Sequence, residues 1–190
     1  MLSVRTRQKY LNYIGINVGK VDGIEGKKTK AGYKKLQDMY FVRKKDRDGK
    51  YGKNTDILLV NAYRVKKYTK NFKLEEFKCN CGGKYCTGYP AKLSTQMLKN
   101  LQSVRDKFGP VIVTFCLRCK KYNATVEGSS KDSLHIEGKA IDHAILPKTN
   151  TERGREEVAR YERGLKGVKY VYHNKDNKYP HMGNAIHMNM

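Results

Sequence analysis

Ser133-Leu134-His135-Ile136-Glu137-Gly138-Lys139-Ala140-Ile141-Asp142 is the segment from which the rest of this chain is read. It carries a histidine and an aspartate seven residues apart, and both are good ligands for a divalent metal: an imidazole nitrogen and a carboxylate oxygen. Gly138 lets the backbone turn between them. The β-compatible run from Ala140 to Ile145 then places Asp142 at the start of a strand, where its direction is fixed. A third donor has to come from elsewhere, and the last predicted strand offers His187 within Ala185-Ile186-His187-Met188. Three protein donors leave a fourth position open for water, the arrangement of a hydrolytic centre. On spacing alone the competing reading is a surface histidine and a capping aspartate.

Working outward, a helix is expected from about Ser94 to Phe108, with Met97, Leu98, Leu101 and Val104 on one face and Gly109-Pro110 as its stop. Val111–Thr114 reads as a strand, as do Val168–Tyr172 and Asn184–Met188, and a charged helix spans about Thr151 to Leu165. Helices mixed with mostly antiparallel strands predict an α+β domain.

The N-terminal third is different. Asp22-Gly23-Ile24-Glu25-Gly26-Lys27-Lys28-Thr29 is echoed by Asp48-Gly49-Lys50-Tyr51-Gly52-Lys53-Asn54-Thr55. Both read D-G-x-x-G-x-x-T, with glycines for tight turns and Thr29 or Thr55 where a helix N-cap would sit. Helical patterns follow each loop, and a helix from about Val4 to Ile14 precedes them. The expectation is an all-α three-helix bundle over residues 1–66, ending near Tyr63. Residues 67–74, in a basic aperiodic stretch, read as a linker to an α+β unit over 75–190.

The net charge is +22, with 40 Lys+Arg against 18 Asp+Glu, and both halves are basic. Such a field concentrates the protein on polyanions, whether nucleic acid or anionic wall polymers. No helix-turn-helix, RNA-recognition or zinc-finger signature accompanies it. No apolar stretch is long enough to span a membrane, and the N-terminus lacks a secretory pattern. The expectation is synthesis in a cytoplasm without a signal peptide. The cysteine count of five, at Cys79, Cys81, Cys86, Cys116 and Cys119, is odd. These read as buried free thiols or as a structural zinc site of irregular spacing.

The run S-x-H-x-x-G-x-A-x-D, from Ser133 through Asp142, resembles the signature of the zinc D-alanyl-D-alanine carboxypeptidase family. That family includes the L-alanyl-D-glutamate endopeptidases of phage lysins and the vancomycin-resistance dipeptidases. The likeness extends upstream through Val113–Arg118, Tyr122-Asn123 and Gly128, and Phe72–Pro90 resembles the opening of some members. Residues 3–65 resemble the three-helix peptidoglycan-binding domain of wall hydrolases, through Gln8, Leu11, Gly15, Val21-Asp22-Gly23, Gly26, Thr29, Ala31, Leu36-Gln37 and the second D-G repeat.

These resemblances imply a phage-type endolysin that cuts a peptide bond in bacterial peptidoglycan with Zn²⁺. His135, Asp142 and His187 would bind the metal. Arg118 would bind a substrate carboxylate or an oxyanion, and Ser133 would contact substrate. Many relatives carry an acid three residues before the last histidine, where this chain has Asn184, so the general base falls to His181. Relatives also carry H-x-D at that histidine, where this chain has Asn189. His143 is either a supporting residue or exposed, and His173 and Asp176 stand outside. The partners implied are peptidoglycan and anionic wall polymers, with no membrane insertion and no role for nucleic acid. The protein would be a monomer acting at the wall after holin-type release. The alternatives are a host D-Ala-D-Ala carboxypeptidase or dipeptidase, and a non-catalytic basic protein binding wall or nucleic acid.

Overall fold

A computed structural model describes all residues, Met1–Met190. Helices α1 (Val4–Ile14), α2 (Lys27–Tyr40) and α3 (Lys53–Tyr68) come first. α3 packs on both of the others, and the rings of Tyr10 on α1 and Tyr63 on α3 stack with centroids 3.7 Å apart.

The two D-G repeats are organised by glutamines rather than by capping threonines. The Gln8 amide donates to Asp22 Oδ1, Ile24 O and Thr29 Oγ1, while its oxygen accepts from Gly23 N. The Gln37 amide repeats the pattern on Asp48, Lys50 O and Thr55, and its oxygen accepts from Gly49 N. Both glutamines are buried. Each converts a loop of otherwise unpaired polar groups into a satisfied one. The N-caps are Gly26 and Gly52, so Thr29 and Thr55 lie inside the first turn and not at the cap. The threonine hydroxyl faces inward because the glutamine takes it as a partner.

The stretch expected as a linker is packed. α3 runs five residues beyond Tyr63 to Tyr68, and Thr69, Phe72 and Leu74 are buried behind it. A period-based reading stops at Val65 because Lys66, Lys67 and Lys70 break the apolar face. The backbone nevertheless continues as helix while those lysines point to solvent. Across this junction the Asn61 amide donates to Ala91 O and its oxygen accepts from Leu93 N. One apolar core runs without a break from Leu11 and Tyr33 to Ile186 and Met188.

The C-terminal part holds α4 (Thr95–Phe108), β1 (Ile112–Phe115), α5 (Lys120–Asn123), β2 (Ala140–Ala144), α6 (Glu152–Arg163), β3 (Tyr170–His173) and β4 (Ile186–Asn189). Ser94 caps α4 by accepting from Met97 N, and Thr151 caps α6 by accepting from Gly154 N. Met97, Leu98, Leu101 and Val104 of α4 are wholly buried; truncating one such leucine to alanine costs about 2–5 kcal/mol. The four strands form an entirely antiparallel sheet in the order β1-β2-β4-β3. Alternation gives the sheet two faces. Ile141, Val171, Ile186 and Met188 join the core beneath α4 and α6, while Asp142, Tyr172 and His187 lie on the other.

His143 falls on the core face. It is neither exposed nor beside Asp142: it is fully buried, with Nε2 2.7 Å from the equally buried Glu162 of α6. His173, on the same face, bonds Glu156 of α6 at 2.9 Å. Pairing of this kind is what lets charged groups enter a core. No helix is long and apolar enough to cross a membrane.

Candidate metal centre and cleft

The sheet register builds the site. Asp142 is the central residue of β2, not its first, and sits directly opposite His187 on β4. His187 is in turn opposite Tyr172 on β3. His135 arrives from the loop before β2. That loop closes through Lys139 N to Leu134 O and reverses at Gly138, whose φ is +70°. A Cβ on Gly138 would lie 2.5 Å from the carbonyl oxygen of Lys92, so glycine is required both for the turn and for the close approach.

The three side chains converge. His187 Nδ1 donates to Asp142 Oδ1 at 2.7 Å, and His135 Nε2 lies 3.3 Å from the same oxygen. One ligand atom from each residue lies within 4.8 Å of the others, and all three residues are buried. The other nitrogen of His135, Nδ1, donates to Cys116 O at 2.7 Å, which fixes the tautomer and leaves Nε2 facing Asp142. Beside His187 Nε2, at 3.4 Å, stands the amide of Asn189. The position where relatives carry an aspartate is thus filled by a group that still contacts the ring. Burial pushes the Asp142 carboxyl upward, but the hydrogen bonds from His135 and His187 outweigh it and hold it well below the usual carboxylate range.

Arg118 closes the other side. Its Nη2 donates to Asp142 Oδ2 at 3.0 Å, and its backbone N–H donates to His135 O. The guanidinium lies over the Phe115 ring, with Nε buried and without a partner.

These groups form the floor of a cleft of about 680 Å³ that Ser133 and His181 also line. His181 is exposed on a short 3₁₀ turn, Pro180–Met182, with its ring against Gly128 across the cleft. Asn184 lines the cleft too, but its amide is engaged with Asn150 Oδ1 at 2.9 Å. All six residues singled out from the sequence therefore border one cavity.

Sequence reasoning passed over Tyr172. It stacks on His187 with ring centroids 4.6 Å apart, and burial pushes its phenol up to about 12, so it keeps its proton at neutral pH. The signal was the alternation Tyr170-Val171-Tyr172-His173, which places both tyrosines on the face away from Val171.

Two imidazoles and one carboxylate, buried together at the bottom of a cleft, form a group that could hold a single metal ion. The chain belongs to the Peptidase M15 family, whose model matches residues 70–182, more than half of its length and spanning His135 and Asp142. The protein is therefore a metallopeptidase, of a family that is typically zinc-dependent. No curated protein matches the chain.

Proposed function

We propose that the protein is an endolysin-type peptidase that hydrolyses a peptide bond in peptidoglycan stem peptides or crosslinks. The observation that carries this reading is the convergence of His135, Asp142 and His187 on the floor of an open cleft. In it these three residues hold zinc, a donor set that fits a site with three protein ligands. Bound there, zinc supplies Lewis acidity toward the scissile carbonyl and lowers the pKa of water to about 7.

The chain's own residues supply the remainder. Cys116 O keeps the proton on His135 Nδ1, so Nε2 is free to bind the metal. Arg118 presents a charged fork to a substrate carboxylate or to the oxyanion that develops at the carbonyl. The half-buried phenol of Tyr172 is a second donor lining the cleft. Asn184 is an amide and cannot accept a proton from water, whereas His181 stands at the cleft with an imidazole able to take one up and return it to the leaving amine. Ser133 contacts the substrate from the opposite rim.

Residues 1–66 serve as the wall-binding unit and 75–190 as the catalytic unit. The charge of +22 adds affinity for anionic wall polymers. Holding both functions in one chain raises the local concentration of substrate. The protein acts as a monomer at the wall after holin-type release.

The test is digestion of purified peptidoglycan by wild type and by His135→Ala, with zinc content and new chain ends measured. Wild type should hold one zinc more than the variant and release new amino and carboxyl ends, which the variant should not release. Release of free D-alanine alone would assign a D,D-carboxypeptidase instead. Wall binding with no new ends, even with added zinc, would overturn the enzymatic reading.

A further inference from the structure

Four of the five cysteines converge at a second place, behind the Arg118 segment. Cys79, Cys81 and Cys86 come from the irregular stretch between the Leu74–Phe77 turn and α4, and Cys119 precedes α5. Their four Sγ atoms all lie within 4.8 Å of one another, and the Cys81 and Cys86 sulfurs are 3.5 Å apart. Cys79 and Cys119 are buried, and Cys81 and Cys86 partly so. The fifth, Cys116, is buried elsewhere, its carbonyl serving His135.

We propose that Cys79, Cys81, Cys86 and Cys119 bind a structural zinc ion distinct from the metal of the cleft. Zinc–sulfur bonds of about 2.3 Å set the edge of a thiolate tetrahedron at about 3.8 Å, inside the spread of these sulfurs. Hydrophobic packing accounts for a single buried thiol such as Cys116. It does not account for four sulfurs from two separated stretches of chain meeting at one point. A disulfide would use two of them and leave the other two unexplained.

The loop is also shaped for the purpose. Gly82, Gly83 and Gly88 all have positive φ. A Cβ on Gly83 would lie 2.9 Å from Val42, so the turn between Cys81 and Cys86 fits against its neighbour only without a side chain. The backbone N–H of Cys119 points at Cys79 Sγ at 3.3 Å, the kind of donor that supports a thiolate ligand. Lys78, Lys84 and Lys120 lie beside or between the ligands in sequence and offset the excess negative charge of four thiolates on one zinc. On binding, four S–H bonds are replaced by four Zn–S bonds, and the protons pass to solvent.

Such a site does what no regular element does here. It ties the 79–88 loop, which also accepts Val42 N at Thr87 O, to the residue that follows Arg118. The zinc would thereby hold the Arg118 segment in place.

The experiment is a cobalt(II) titration of the metal-free full chain, read by absorption, alongside zinc content. This inference does not rest on the reading of the cleft. Wild type and His135→Ala should both show the thiolate-to-cobalt charge-transfer band and the intense visible bands of a tetrahedral thiolate site. Cys79→Ser/Cys119→Ser should lose them, and wild type should hold one zinc more than His135→Ala. If the serine variant fails to fold, the first two spectra decide alone. Cobalt uptake without the charge-transfer band, or a native mass short of two hydrogens per disulfide, overturns the proposal. Equal zinc in wild type and His135→Ala with the band present would sink the cleft reading and leave the cysteine site standing.

Discussion

At the residue scale the informative groups are those whose charge is set by their neighbours. Arg118 is tied to Asp142 and at the same time lines the cleft, so its geometry matters as well as its charge. Lysine keeps the charge and loses the planar fork. Arg118→Lys is expected to lower kcat/KM by about 10²–10³-fold, the usual loss for one oxyanion donor, with an unchanged circular dichroism spectrum. An unchanged kcat/KM would remove Arg118 from the reaction. Glu156 offers a pH test away from the cleft. Hydrogen bonds from Arg163 and then His173 pull its carboxyl down from 4.5 to about 2. A depressed carboxylate contributes stability that is present above its unfolded pKa and lost as pH falls toward the folded one. Glu156→Gln should therefore be less stable than wild type at neutral pH, and the gap in urea midpoint should shrink as pH falls below about 4.5 and close only near pH 2. A gap that stays constant with pH would show that the ion pair contributes nothing.

At the scale of elements, buried glutamines hold the two D-G loops. Gln37→Ala removes four hydrogen bonds and leaves buried partners unsatisfied. It should cost about 1–3 kcal/mol by chemical denaturation with little change in α2 itself. The same scale shows what the sequence makes legible and what it does not. α1, α4 and α6 could be read to within a residue or two, because apolar spacing and Ser94 or Thr151 marked them. His135, Asp142 and His187 were singled out through the resemblance of the Ser133–Asp142 run to a family signature, because one histidine and one aspartate at a fixed spacing say little by themselves. The end of α3 was not, since lysines there hide a helix behind solvent-facing charge. Neither was the pairing of Asp142 with His187, because strand order and register are set by contacts between residues 45 apart in sequence. Tyr172 was missed for the same reason: its role comes from a neighbour on another strand. The cysteine cluster escaped a firm reading because its ligands follow no regular spacing.

At the scale of the molecule, one core runs through both parts of the chain, and Asn61 bonds across the junction. Calorimetry should give a single cooperative transition for the full chain, and Asn61→Ala should lower its midpoint without splitting it. Two separable transitions would show that the parts melt independently. The sheet behind the cleft also filters the lesions this protein can survive. Side chains of β4 alternate between cleft and core, so losing one residue inside Ile186–Asn189 would exchange the faces, sending a methionine to the water and the cleft histidine into the oil. Losing one residue from the preceding loop, before Ala185, shifts no phase at all. Descendants of this chain should therefore vary freely in the length of that loop and almost never in the length of its last strand.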